Sequence, residues 1–585
     1  MAEPQFDLVI RNGLIVDGSG GPAYSGDVAI NGEWIEAVGD IAGGGVREID
    51  AGGMLVTPGF VDIHTHYDGQ LVWSDRLSPS SDHGVTTVVT GNCGIGFAPC
   101  KPGDHQALVE LMEGVEDIPE AVATAGLTWE WESFPEFMDA IEKRPHDIDF
   151  AAYLPHSPLR VYVMGERAIN REEANPQDLA QMKRLTSEAL EAGAMGLGTS
   201  RMSFHRTSKG ELIPSIGAAE EELHVIAEAM TEADKGILQF VSVMSPELVE
   251  EEFGLMRELS QRSGRTLTYT QAQTAQAPEL WRDILGWLQD ANANGANIKA
   301  QLFPRPIGMI IGLRASANPF CMQPSWAEVA DLPLDEKVER LRNPDLRARL
   351  LAEQPEDPTN PLFTLARNWA MIFPIGAEPD YEPDRSQSIA ELARAAGTSP
   401  EEYVYDLLLE DQGQTLLLTT IGNYADYNLN FIREMLADPN VVVGLGDGGA
   451  HYGMICDASY STYALTHWAR DRKGERFSVE ETVRLLTREP AEVVGLTDRG
   501  LLQPGHRAHL NIIDHDNLRL HAPGIIHDLP GGGKRLHQSA DGYVLTVCNG
   551  KVIMENGQPT GELPGRLLRG RQEPLGGAAE AIAAE

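Results

Sequence analysis

The sequence predicts an α/β protein: a (β/α)8 TIM-type barrel joined to a small β-sandwich built from both chain termini. Short apolar runs alternate with amphipathic helical stretches across residues 57–498, the pattern of strands each followed by a covering helix. Turn-punctuated strands without helices occupy the two ends of the chain. No G-x-G-x-x-G follows a strand, which disfavours a doubly wound nucleotide-binding sheet.

Residues 1–56 read as strands: "FDLVIRNGLIVDG", "GDVAINGEWIEAVG" and "VREIDAGGMLVTPG". Each alternates apolar and polar residues, with Asn-Gly or Gly-rich turns of the hairpin kind. The same grammar returns in 499–570, in "GHRAHLNIIDHD" and "GYVLTVCNGKVIMENGQPTG". Chain ends commonly lie close together, so the two stretches are expected to share one sandwich. Within 57–498, "TTVVTGN", "FAAYLP", "MGLGTS", "ILQFVSV", "LTYTQAQ", "IKAQLF" and "VVVGLGD" are the expected barrel strands. "NPQDLAQMKRLTSEALEAGA" is an expected helix, with an Asn-Pro start and a glycine near its end. Two segments exceed ordinary loop lengths, at about 98–148 and 304–398; insertions of this size form lids or substrate walls. Their Trp129, Trp131 and Trp326 suggest an apolar wall for a bulky acyl or aromatic group. Residues 571–585 read as a flexible tail.

The formal charge is 46 − 87 = −41, which disfavours nucleic acid and anionic membranes, since both need basic patches. Five scattered cysteines make no disulfide framework and fit a reducing compartment. The first residues lack a basic and apolar leader, and no apolar run reaches the ~18–20 residues of a spanning helix. A cytoplasmic protein is expected; a homo-oligomer is compatible with a barrel of this size.

Four positions carry metal chemistry. In "PGFVDIHTH", His64 and His66 point to one side of an extended chain at the end of an apolar run. Neutral imidazole suits zinc and similar ions; the alternative is a pair of hydrogen-bonded loop histidines. Cys93 lies in the glycine-lined "TGNCGIGFAP", as a thiolate ligand or as a small buried residue. Asp447, in "VVVGLGDGGAH", is a carboxylate at the end of a buried strand, as a metal ligand or as a helix cap. His451, four residues past Asp447, is a candidate to support the site or touch the substrate. His156, His205, Arg201 and Arg305 follow other apolar runs and are candidates for substrate contact. So is Arg160, with salt bridges and loop hydrogen bonds as the alternative for all of them. Cys456 and His467 are expected to pack the helix after Asp447.

"PGFVDIHTH", "GVTTVVTGNCGIGFAP", "AGAMGLGTS", "GLGDGGAH", "LLQPGHRAHLNIID" and "NGKVIMENG" together resemble the amidohydrolase superfamily, and within it the D-aminoacylase (N-acyl-D-amino-acid deacylase) branch. The resemblance spans nearly the whole chain. It implies zinc or a related divalent ion at the barrel mouth, with His64, His66, Cys93 and Asp447 matching metal residues. It also implies histidines at the ends of the fifth and sixth strands. The corresponding "GILQFVSVMSPE" and "RTLTYTQAQTAQ" contain none, and no histidine falls between His224 and His451. Gln239, Ser242 or Gln271 could contribute weakly in their place. The expectation is therefore one zinc ion per chain, held by His64, His66, Cys93 and Asp447.

The function so implied is metal-dependent cleavage of the amide bond of an N-acyl amino acid or similar small amide by activated water, with Asp447 as proton acceptor. A cyclic amide or ester hydrolase, a non-hydrolytic lyase, and an inactive scaffold or binding protein are the alternatives. Four protein ligands close a tetrahedron, as in structural zinc sites, so an active site must free or add one position. Asp447 is the ligand best suited to partial release.

Overall fold

The computed structural model describes residues 4–575 apart from 356 and 359. Phe60–Asp62, Val85–Thr90 and Asp149–Ala152 form one parallel sheet. Leu154–Pro155, Gly196–Ser200, Ile237–Val241, Leu267–Gln271, Ile298–Leu302 and Val441–Val443 pair side by side, also in parallel, in that order. The sheets meet at residues 149–155, where Tyr153 N–H donates to Thr90 O at 2.9 Å and Met195 N–H to Ala152 O at 2.9 Å. At the opposite edges, Asp447 N–H donates to His64 O at 3.1 Å and His66 N–H to Gly448 O at 2.8 Å. Every residue of Val85–Thr90, Gly196–Ser200 and Ile237–Val241 is buried, as in strands covered on both faces. The helix Pro176–Ala192 begins at a capping box of Asn175 and Asp178 and ends at Gly193, φ 102°, where a left-handed residue stops the helix.

The first insertion supplies the helices His105–Glu116, Glu120–Gly126 and Phe134–Glu142. The second supplies Ile307–Gly312 and Ile372–Pro374 to an antiparallel sheet whose central strand, Leu416–Gly422, lies past the expected end at 398, with its own core around Ile311, Phe320, Trp326 and Leu417. The expected tryptophan wall does not form. Trp326 is buried in that core, Trp131 is buried and donates to Phe97 O at 2.8 Å, and Trp129 stacks on His105.

Strands from both chain ends interleave in one nine-stranded sheet, in which Leu55–Pro58 lies between Phe6–Ile15 and Leu510–Ile513. Asn31–Gly32 makes the hairpin expected between Tyr24–Asn31 and Trp34–Gly39. Asn12–Gly13 instead makes a bulge inside the continuous strand Phe6–Ile15. Beneath the parallel strands, the buried Arg499 guanidinium bonds Asp149 and Thr87 at 2.8 Å each, and Asp498 at 2.9 Å. Residues 571–575, expected in the flexible tail, are tied down: Gln572 N–H bonds Gly495 O and Leu575 N–H bonds Gly505 O, both at 3.0 Å. The rest of that tail, 576–585, lies outside the described residues. Among the described residues no helix is long and apolar enough to cross a membrane.

Glu382 pins the return of the second insertion, accepting hydrogen bonds from Leu429 N–H at 2.9 Å, His467 at 2.7 Å and Arg472 at 2.8 and 2.9 Å. Burial pushes its carboxyl up, but His467 and Arg472 outweigh it and hold the pKa at about 2, below the ordinary 4.5. A depressed carboxylate stabilises the fold above its unfolded pKa and loses that contribution as pH falls through its folded one. Glu382→Gln should therefore cost about 3 kcal/mol at pH 7. In denaturant unfolding at a series of pH values, the gap to wild type should close between about pH 5 and pH 2; a pH-independent gap contradicts the assignment.

Candidate metal centre

Past the end of Phe60–Asp62 the chain bends at Ile63–His64, and Thr65 is pinned by two bonds to Val89 O, from its N–H at 3.0 Å and its hydroxyl at 2.9 Å. His64 and His66 turn toward Cys93. Cys93 sits one turn beyond Val85–Thr90 in a left-handed conformation, φ 57°, and its N–H bonds Gln239 Oε1 at 3.0 Å. Asp447, also left-handed at φ 47°, is brought opposite by the backbone bonds to His64 and His66. Gly446 cannot be replaced by a larger residue there, because a Cβ would stand 1.9 Å from Asp62 Oδ2.

Cys93 Sγ lies 3.5 Å from His64 Nε2 and 3.7 Å from His66 Nε2. Asp447 Oδ1 lies 3.7 Å from His64 Nε2 and 3.5 Å from His66 Nε2. Donors at zinc bond lengths of ~2.0–2.3 Å around a tetrahedral ion stand about 3.3–3.7 Å apart, and the Cys93–histidine separations fit that spacing. The donor atoms of His64, His66 and Cys93 all lie within 4.8 Å of one another, while Asp447 approaches the histidines from outside that group. The fit extends to protonation. Burial lowers His64 to about 4, against the pull of Asp447, and His66 to about 3, so both imidazoles are neutral near pH 7. Burial, with Glu116, Asp447 and Asp68 nearby, raises the Cys93 thiol, and a divalent ion would deprotonate it. The histidines are 1 % exposed and the Asp447 side chain 18 %, so the carboxylate stands at the open edge.

Each histidine also meets an oxygen behind it. His64 Nδ1 bonds Gln301 Oε1 at 2.7 Å, and Gln301 Nε2 donates to Thr268 Oγ1 at 3.0 Å. An N–H on Nδ1 leaves the Nε2 lone pair for a metal. His66 Nδ1 faces Glu116 Oε1 at 3.4 Å. The sequence reading missed both partners. Gln301 showed only as a polar residue inside the apolar run "IKAQLF", and Glu116 gave no signal within its insertion.

The other candidates divide. His451 reaches Glu116 Oε2 at 3.3 Å and is 19 % exposed. His205 bonds Ser200 Oγ at 2.8 Å; burial lowers it to about 3, assisted by His451, His66 and His64, so it shares their surroundings. His156 spends both ring nitrogens internally, on Glu222 at 2.7 Å and Thr199 at 2.8 Å, and Arg160 pairs with the same Glu222. Arg305 is buried against Asp457 at 2.7 Å and stacks on Tyr381. Arg201 pairs with Glu252 at 2.9 Å. His156, Arg160, Arg201 and Arg305 thus each bond groups within the chain. Gln239 supports the Cys93 turn through its Oε1, while Ser242 and Gln271 bond neighbouring backbone carbonyls at 3.3 and 3.0 Å. Cys456 is buried, and His467 pairs with Glu382.

The chain belongs to the Amidohydrolase family, whose model matches residues 47–554, and is a hydrolase of carbon–nitrogen bonds other than peptide bonds. N-acyl-D-glutamate deacylase of Alcaligenes xylosoxydans xylosoxydans is 25 % identical over 99 % of both chains. D-aminoacylase of the same organism is 34 % identical over 33 % of this chain and 37 % of its own. Among solved structures, N-acyl-D-glutamate deacylase from Bordetella bronchiseptica, complexed with zinc and a phosphonate inhibitor, aligns with a TM-score of 0.64 at 21 % identity, covering 96 % of this chain and 99 % of that one. At that identity the likeness concerns the fold.

Gln301→Leu should weaken zinc binding by roughly 10–100-fold while the chain stays folded, measured by competition with a chromophoric chelator. Unchanged affinity would show that His64 needs no partner at Nδ1.

Proposed function

We propose that the chain is a single-metal amidohydrolase that cleaves an N-acylated amino acid or similar small amide to an acid and an amine. The convergence of His64, His66 and Cys93, with Asp447 within 3.7 Å of both imidazoles, carries this reading. One ion is favoured over two because the fifth- and sixth-strand ends offer Gln239, Ser242 and Gln271, each already bonded within the chain. The parallel strands are proposed to close as a (β/α)8 barrel through the His64–Asp447 and His66–Gly448 bonds, with the terminal sheet, from 1–56 and 499–570, folded as a sandwich beside it.

A divalent ion, zinc by its donor set, supplies a Lewis acid that makes water a nucleophile near neutral pH and polarises a carbonyl. His64 and His66 present neutral nitrogens to it. Asp447, at the open edge, accepts the proton released as water's oxygen bonds the carbonyl carbon. It passes that proton to the nitrogen as the carbon–nitrogen bond breaks. His205 and His451, beside the cluster, are placed to donate hydrogen bonds to the substrate carbonyl.

Elemental analysis of the purified chain should give close to one zinc per chain; a ratio near two, or none above trace, contradicts the reading. Asp447→Asn should lower kcat on an N-acyl amino acid by about 10²–10⁴-fold with the circular dichroism unchanged. Retention of full activity would remove Asp447 from the chemistry.

A further inference from the structure

The first insertion reaches the metal cluster through one side chain. Glu116 ends the helix His105–Glu116 and is 1 % exposed. Neither of its oxygens has a hydrogen-bond partner, and neither does His66 Nδ1. Its ion pairs among the described residues are with histidines alone, Oε1 to His66 Nδ1 at 3.4 Å and Oε2 to His451 Nε2 at 3.3 Å. A buried carboxylate without arginine or lysine needs compensating charge. The candidate donor cluster lies on the far side of the His66 ring, where Nε2 faces Cys93 and Asp447.

Its position is set from several directions. His451 N–H donates to Glu116 O. The adjacent Asp117 accepts Gly453 N–H at 2.8 Å and the Ser316 hydroxyl, from the second insertion, at 3.3 Å. Earlier on the same helix, Ser208 N–H bonds Glu110 O at 3.0 Å, and Gly114 packs so closely on residues 206–208 that a Cβ would stand 2.1 Å from Thr207 C. The helix end therefore meets the loop carrying His205, the loop carrying His451 and the second insertion together.

We propose that Glu116 is a positioning residue: it takes the Nδ1 proton of His66 in a hydrogen bond and fixes Nε2 toward the metal, while its second oxygen orients His451 at the mouth. His64 rests on a neutral amide, Gln301, and His66 on a carboxylate, so two like ligands of one ion carry unlike partners. The inference rests on the single-metal reading above.

The test titrates zinc and cobalt(II) into the metal-free full-length chain, wild type against Glu116→Gln and Glu116→Ala. Glu116→Ala should lose roughly 10–100-fold in affinity for either metal and shift the visible cobalt spectrum. Glu116→Gln, which keeps an acceptor without the charge, should fall between. Thermal melting of the metal-free variants reports folding, and the near-isosteric Glu116→Gln decides should Glu116→Ala fail to fold. Wild-type affinity and spectrum in a folded variant overturn the inference and leave the single-metal reading standing. Two ions in wild type falling to one in Glu116→Ala would make Glu116 a ligand and overturn both. A wild-type chain that binds neither metal also overturns both.

Discussion

The site hangs on two backbone hydrogen bonds, Asp447 N–H to His64 O and His66 N–H to Gly448 O. They join segments almost 400 residues apart just beyond the ends of the first and last parallel strands. This register places one carboxylate across from two imidazoles. The tight approach explains the glycines around Asp447: at Gly448, as at Gly446, a Cβ would collide, here 2.5 Å from Ser80 Oγ.

Cys93, Asp447 and His451 all adopt left-handed backbone conformations without being glycine. Such residues cost of order 1–3 kcal/mol each and persist only where their surroundings over-determine them. Here those surroundings are the glutamine behind Cys93, the strand-end pairing at Asp447 and the Glu116 carbonyl at His451. The network around Arg499, Asp149 and Asp498 holds the opposite end of the strands against the terminal sheet, so the mouth is free to carry this local strain.

The legible part of the site was the part written locally. His64, His66, Cys93 and Asp447 each follow an apolar run, and a run plus its first polar residue is a short-range pattern. The strands and the Asn175-capped helix were visible for the same reason. What escaped depends on distance along the chain. His156 and Arg305 looked available because Glu222 and Asp457, which consume them, lie 66 and 152 residues away. Gln301 and Glu116 looked idle because only the folded chain sets them against a histidine. Asn12–Gly13 carried the hairpin dipeptide, but the strand continues through it, since pairing on both sides outweighs a local turn preference.

The loop after Asp447 is held by segments that the chain makes at very different times. Glu116 and Asp117 arrive early, Ile310 and Ser316 midway, and the hairpin Gly524–His537 near the end, where Leu536 N–H bonds Tyr452 O at 2.6 Å. His64, His66, Cys93 and Asp447 are therefore all translated well before the last support of the loop. The last support of this loop, the C-terminal hairpin, thus lies some 80 residues further along the chain than the loop it holds.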